Sequence, residues 1–389
     1  MRIAMIGQKG MPAHFGGVEK HVHDLSVRLA QGGVAVTVYA RDWYTDPSIT
    51  SYDGVRIQHI KTVKSKHFDT IIHTFLSTIH AIRNSYDVVH YHGVGPALLS
   101  WMVRIFSPKT RVITTFHCID RKHAKWGVLA RFFLLMGEWS ACRFAHTTIA
   151  VSKTIQQYAR DVYDCQTVYI PNAVTVSKKT TKKDSISSFG LTSGRYLIMV
   201  SRLIPHKGAH YLLDAWKTLS QQDPKGLGDM KLVIVGDGHH TDAYVQALHA
   251  QAQGNDRIVF TGFQSGEALQ QLYSHARAMV HPSDNEGLPI VVLEAMSYGL
   301  PVLVSDIPEH RHLVQNYKYL FQAGSVSSLT NALQRLVEEK KYLLQEEGKR
   351  NKQLVIDEYQ WDRILPIIME VYTETKTQSV AVSMQSATL

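Results

Sequence analysis

Short apolar runs that read as strands, each followed by a turn signal and a stretch of helical periodicity, recur along this 389-residue chain, and that alternation leaves few folds open. In the first half the runs fall at Ile3–Ile6, Ala35–Tyr39, Val88–His90, Val112–Phe116 and Thr148–Ala150. The second half repeats the scheme near Tyr196–Val200, Lys231–Val235, Ile258–Thr261, Ala278–His281 and Pro301–Val304. Two doubly wound α/β units with parallel sheets are expected. The hydrophobic content of 44% over this length is more than one small core can hold. Ser177 to Ser188 is polar, basic and aperiodic, which reads as the linker and puts the boundary near residues 173–194. In open sheets of this kind ligands collect beyond the carboxyl ends of the strands, so two facing units should enclose a cleft lined by strand-end loops.

Cys118, Cys142 and Cys165 form no Cys-x-x-Cys pair and no even set, so neither a disulfide framework nor a zinc knuckle is expected. No apolar run reaches the length of a signal peptide core or a membrane span, and a cytoplasmic location is the expectation. The net charge of +9 is uneven. Residues 1–180 hold 22 Lys and Arg against 11 Asp and Glu, a net +11, whereas the rest hold 20 against 22. A basic half attracts anionic partners. No helix-turn-helix, zinc finger or RNA-stacking pattern accompanies the cations, so nucleic acid is not an expected partner.

The most informative segment runs from Ser283 to Pro301. Pro289 suits the first turn of a helix and Gly299 its left-handed end, which leaves Glu286 in the preceding loop and Glu294 one turn inside. Free N–H groups near Gly287, Leu288 and Pro289, with the helix dipole, would hold a diphosphate. Glu286 would then accept from hydroxyls of a donor sugar and Glu294 from a ribose diol. The alternative is a surface helix with solvated glutamates. Upstream, Arg202 and Lys207 leave one strand-end loop, where cations neutralise a leaving diphosphate; two ordinary surface cations are the alternative. Val235-Gly236-Asp237-Gly238 lacks the third glycine of a dinucleotide loop and reads as a tight turn. Gly16 and Gly17, after the first strand, permit close backbone approach to a phosphate or sugar.

Together these segments resemble the retaining family-4 glycosyltransferases of the GT-B fold, whose signature is the spacing of Glu286 and Glu294, with Arg202 and Lys207 at the matching upstream position. The resemblance implies that Glu286 and the adjacent backbone contact the donor sugar, Glu294 the ribose, and Arg202 and Lys207 the diphosphate. Thr115 to Asp120 resembles the family's His-Gly-x-Asp element, with Cys118 in place of the glycine. By that resemblance His117 contacts the transferring sugar, and Asp120, with His92, falls on the acceptor side. It also implies an acceptor-binding domain over 1–175, a nucleotide-sugar domain over 195–356, and a helix over 357–376 crossing back to the first. The donor base is expected beside Thr261-Gly262-Phe263-Gln264, UDP- or GDP-linked.

No cofactor is expected, and no metal, since neither a His-Glu-x-x-His nor an Asp-x-Asp spacing occurs. Arg121 to His146, with Lys122, Lys125 and Arg131 among aromatics, reads either as an interfacial membrane segment or as a helix packed on the sheet. The packed helix is preferred, because Phe132 to Met136 is apolar almost all round. Residues from Thr377 onward read as disordered. The leading expectation is a retaining transferase of surface-polysaccharide synthesis acting on a glycan or lipid-diphosphate-linked acceptor, with possible peripheral contact with anionic membrane. A sugar-nucleotide epimerase of the same fold and a non-catalytic nucleotide-sugar binding protein are the rivals.

Overall fold

A computed structural model describes residues 1–62, 69–122, 127–238 and 241–374. The expected disordered tail and Lys125 lie outside these residues, and so does the side chain of Lys122. Two sheets form. The first comprises β1 (Arg2–Ile6), β2 (Ala35–Arg41), β3 (Ser51–Tyr52), β4 (Val55–Ile60), β5 (Val88–His92), β6 (Arg111–Phe116), β7 (Thr147–Ala150) and β8 (Val168–Tyr169), in the order β3-β4-β2-β1-β5-β6-β7-β8. The second comprises β9 (Tyr196–Val200), β10 (Lys231–Val235), β11 (Ile258–Gly262), β12 (Ala278–His281), β13 (Val302–Ser305) and β14 (Leu320–Phe321), in the order β11-β10-β9-β12-β13-β14. All pairings are parallel except the β3–β4 hairpin. The ten expected strands all form. β3, β4, β8 and β14 are additional.

The helices that shape the cleft are α1 (Gly17–Gln31), α2 (Asp69–Arg83), α3 (Ser100–Phe106), α4 (Val128–Phe144), α5 (Lys153–Tyr163), α6 (Gly266–His275), α7 (Ile290–Ser297) and α8 (Trp361–Thr373). Strand alternation assigns the two faces of the first sheet. Ile3 and Met5 of β1 pack with Leu25 and Leu29 of α1 and with Trp361, Ile364 and Ile368 of α8. Ala4 and Ile6 point to the opposite face, among Val89, Tyr91 and Val103. α8 therefore caps the first sheet although it follows the second in sequence. His90 Nδ1 meets Tyr372 OH at 2.7 Å beneath it. Each of its fully buried large side chains is worth about 1.5–3 kcal/mol, enough to fix where this helix rests.

The chain crosses between the units twice, and the crossings touch. Val174 N–H donates to Tyr359 O at 2.8 Å. Asn172 Nδ2 donates to Leu288 O at 2.8 Å, so the first unit's exit holds the loop that opens α7. The expected linker carries one short helix, Asp184–Ser188. Among the described residues no helix is long and apolar enough to cross a membrane.

The helix expected within Arg121–His146 forms as α4 after a 3₁₀ turn, Asp120–Lys122, and packs on the first sheet by one face, but it buries only part of its apolar surface. Phe132 is 55% exposed and Leu129 71%. Helical spacing places Gly137, Glu138 and Ala141 on the sheet side and leaves the larger side chains outside.

Candidate active site in the interdomain cleft

Strand ends deliver the site. After β1, the loop to α1 is braced from within: Gln8 Nε2 donates to Met5 O and Tyr39 O, and the Tyr44 hydroxyl accepts from the N–H groups of His14 and Phe15. Gly16 has φ +105°, and a Cβ there would fall 1.9 Å from Glu19 Oε2. The backbone at position 16 lies against the Glu19 carboxylate in a positive-φ conformation that glycine adopts most readily. Gly17 faces Ile290 of the other unit.

Three histidines from separate elements meet behind this loop. His21 of α1, His92 at the end of β5 and His117 at the end of β6 are all buried, and His92 Nδ1 lies 3.2 Å from His117 Nε2. Burial pushes His21 down to about 4, and holds His92 and His117 well below their usual range, with the neighbouring imidazoles adding to the effect. His117 is therefore a neutral hydrogen-bonding group at physiological pH. His92, expected on the acceptor side, stands packed against His117, 2% exposed. Cys118 Sγ donates to Asp120 Oδ1 at 3.2 Å, and burial, then that carboxylate, raises the thiol. It is a space-filling group here, without thiolate character.

The second unit supplies the charges. Lys207 ends the 3₁₀ turn Pro205–Lys207 beyond β9, followed by Gly208 at φ +73°, where a Cβ would strike Pro282 O at 2.0 Å. That close approach stitches the β9 and β12 loops, together with the bond from Asp284 N–H to His206 O at 2.8 Å. Glu286 Oε1 accepts from Lys207 Nζ at 2.5 Å and from His281 Nε2 at 2.7 Å. Burial alone would raise the Glu286 carboxyl, but the Lys207 charge and the His281 hydrogen bond outweigh it and hold the group well below the usual range. Arg202, in the same loop, is exposed. Pro289 is the N-cap residue of α7, one position earlier than its expected place in the first turn, and Gly299 has φ +68° just past the C-cap.

Glu294, in α7, lines a pocket between the units with Lys20 and Asp24 of α1 and with Gln270, Tyr273 and Tyr298 opposite. Burial pushes its carboxyl up to about 7, with Lys20 opposing the shift and Asp24 adding to it. Phe263, beyond β11, is 51% exposed and available for stacking. The units meet tightly at Gly287, where a Cβ would sit 1.6 Å from His117 O. His117 and Glu286 are thereby brought to the same short stretch of cleft.

Among the described residues two groups bring metal-ligating atoms within 4.8 Å of one another: His21, His92 and His117, and His281, Glu286 and His310. In the second group Glu286 is already engaged by a cation. Sequence reasoning passed over His21, His281, His310 and Lys20. His281 stands at a strand end and was open to the same logic that found His117. His21 follows Gly17 by one helical turn on the cleft face of α1.

The family model for glycosyl transferases group 1 matches residues 182–375, and that for glycosyltransferase family 4 matches residues 15–178. Phosphatidyl-myo-inositol mannosyltransferase of Mycobacterium leprae is 26% identical, covering 99% of this chain and all of that protein. The UDP-Gal:alpha-D-GlcNAc-diphosphoundecaprenol alpha-1,3-galactosyltransferase of Escherichia coli is also 26% identical, over 69% of this chain and 71% of its own. Sucrose-phosphate synthase from Thermosynechococcus elongatus superposes with a TM-score of 0.81 at 22% identity, covering 95% and 98% of the two chains, a likeness of fold.

Proposed function

The chain belongs to the glycosyltransferases of group 1 and family 4, and from that premise we propose that it moves a sugar from a UDP- or GDP-linked donor to a glycan or lipid-diphosphate-linked acceptor with retention of configuration, in surface-polysaccharide synthesis. The observation that carries the reading is the buried Glu286 carboxylate between Lys207 and His281, next to Gly287, which packs against the His117 backbone of the other unit. A carboxylate held ionised there accepts from sugar hydroxyls. Lys207, Arg202 and the start of α7 neutralise the departing diphosphate. The bond from the anomeric carbon to the diphosphate oxygen breaks, the bond to the acceptor oxygen forms on the same face, and the acceptor proton passes to the leaving diphosphate. Neutral His117 orients the sugar by hydrogen bonding. The galactosyltransferase relative carries both a UDP-sugar and a diphosphoundecaprenol-linked acceptor in its name, which supports these two classes.

These groups leave no role that requires a divalent ion. Transfer run in excess EDTA should proceed undiminished, and NMR of the product should show the donor's anomeric configuration. An inverted linkage, or activity lost to EDTA and restored by a divalent cation, would overturn the mechanism. Conversion of the donor sugar with no acceptor present would identify an epimerase instead.

Glu294 gives a pH dependence. A ribose diol donates two hydrogen bonds to an ionised carboxyl, and this carboxyl, at about 7, is ionised at pH 8 and protonated at pH 6. Calorimetry with UDP and GDP should show affinity falling about tenfold from pH 8 to pH 6, with Glu294→Gln weak and flat across the range. An unchanged slope in the variant would remove Glu294 from the ribose site.

A further inference from the structure

Among the described residues, twelve of the eighteen exposed large apolar side chains lie on α2, α3 and α4, three adjoining helices on one face of the first sheet. On α4, Val128 is 87% exposed and Leu129 71%, followed at helical spacing by Phe132, Phe133 and Trp139. α3 adds Ile105 and Phe106, each more than 60% exposed, and α2 adds Ile71 and Phe75. Scattered exposed apolar residues need no explanation, but a contiguous face of this extent does. Its charges all have one sign. The exposed charged residues of the three helices are Arg83, Arg104, Arg131 and Arg143, whereas the two acids, Asp69 and Glu138, are buried.

Both acids are held inward by partners. Asp69 pairs with Arg41 Nε at 2.8 Å. Glu138 Oε2 accepts from Tyr158 OH at 2.7 Å and Tyr163 OH at 2.5 Å on α5, and from Arg121 Nε at 3.4 Å. Arg121 adjoins Asp120 in the 3₁₀ turn that follows His117, so this network links α4 to the loop beyond β6. An apolar face with only cations among its charges is complementary to anionic lipid, in which aromatic and aliphatic groups enter the interface and arginines meet phosphate.

We propose that the outer face of α2, α3 and α4 docks on an anionic membrane by inserting apolar side chains, presenting the His117–Asp120 mouth of the cleft at headgroup level. The inference rests on the transferase reading in one respect, since it explains how an acceptor carried on lipid would reach the cleft, but the surface itself is argued without it. Apolar insertion, not charge alone, supplies the attachment.

The test uses the full chain with vesicles of phosphatidylcholine alone and with about one third phosphatidylglycerol. Binding is expected on the anionic vesicles, with a blue shift of tryptophan emission and quenching by brominated acyl chains, because Trp101 and Trp139 lie on this face. High salt should weaken binding without abolishing it. The variant Val128→Ser, Leu129→Ser, Phe132→Ser should bind at least about tenfold more weakly while its melting temperature and its affinity for UDP or GDP stay as in the parent. Equal binding of variant and parent, or absence of quenching, overturns the proposal. So does a concentration-dependent dimer in sedimentation that the variant abolishes, with no vesicle binding, since a second copy would then cover the face. Vesicle binding without sugar transfer would retain the docking face and reject the transferase reading, so the two fail separately.

Discussion

Gly287→Ala is expected to lower kcat/KM by at least about a hundredfold while leaving the protein folded and able to bind nucleotide, the scale of loss that follows when reacting groups are held about an ångström out of place. The added Cβ would lie 1.6 Å from the backbone oxygen of His117, 2.7 Å from its carbonyl carbon and 3.3 Å from Cys118 Cα. These are backbone atoms of the opposite unit and cannot swing aside as a lysine terminus would. The backbone at Gly287 is outside the left-handed region, so alanine introduces no local strain. What the methyl prevents is the approach of the two units. Calorimetry with UDP or GDP should still show binding, weakened far less than the roughly hundredfold loss of steady-state turnover. Activity within a few-fold of the parent would mean that turnover does not pass through this closed contact.

The same contact marks a limit of reading the chain as a string. The Glu286 and Glu294 spacing was legible because one loop and one helix carry both residues, and Gly287 was legible only as part of the N–H groups beside a diphosphate. That it packs against His117 was not, because the partner belongs to another unit. The histidine cluster fails for the same reason: α1, β5 and β6 contribute one imidazole each, so no local spacing announces it. Among the strands, β8 and β14 have two residues apiece, too short for any periodicity. The β3–β4 hairpin was within reach, since Asp53 and Gly54 sit at φ +44° and +80°, the mirror-image turn that an Asp-Gly pair favours. Composition left open how much of α4 is buried. An apolar run without polar interruption can be buried on all sides or face a non-aqueous surface, and only the sheet's position decides between them.

Glu286 and Lys207 form a single functional unit, and removing either should cost nearly as much as removing both. The Lys207 side chain is 15% exposed and that of Glu286 8%, so each single deletion leaves the other charge buried without its partner. Breaking such a pair from one side destabilises by about 3–5 kcal/mol, whereas removing both removes the unpaired charge. In a double-mutant cycle of Glu286→Ala and Lys207→Ala, the double variant should therefore melt higher than the worse single variant. The rate data should be non-additive in the same sense. Each single variant is expected to lose about a thousandfold in kcat/KM, and the double variant little more, because sugar contact and diphosphate neutralisation fail together. The sign with pH follows from the depressed Glu286 carboxyl. Its contribution to stability is complete above the ordinary glutamate range and is lost as pH falls through the lower folded value, so acid should destabilise the parent more steeply than Glu286→Gln. Thermal melts followed from neutral pH to well below about 4, the ordinary value for glutamate, would show the divergence. Two curves running parallel over that span, with single-variant losses that simply add, would reduce the pair to an incidental contact and leave the diphosphate to Arg202 and the start of α7.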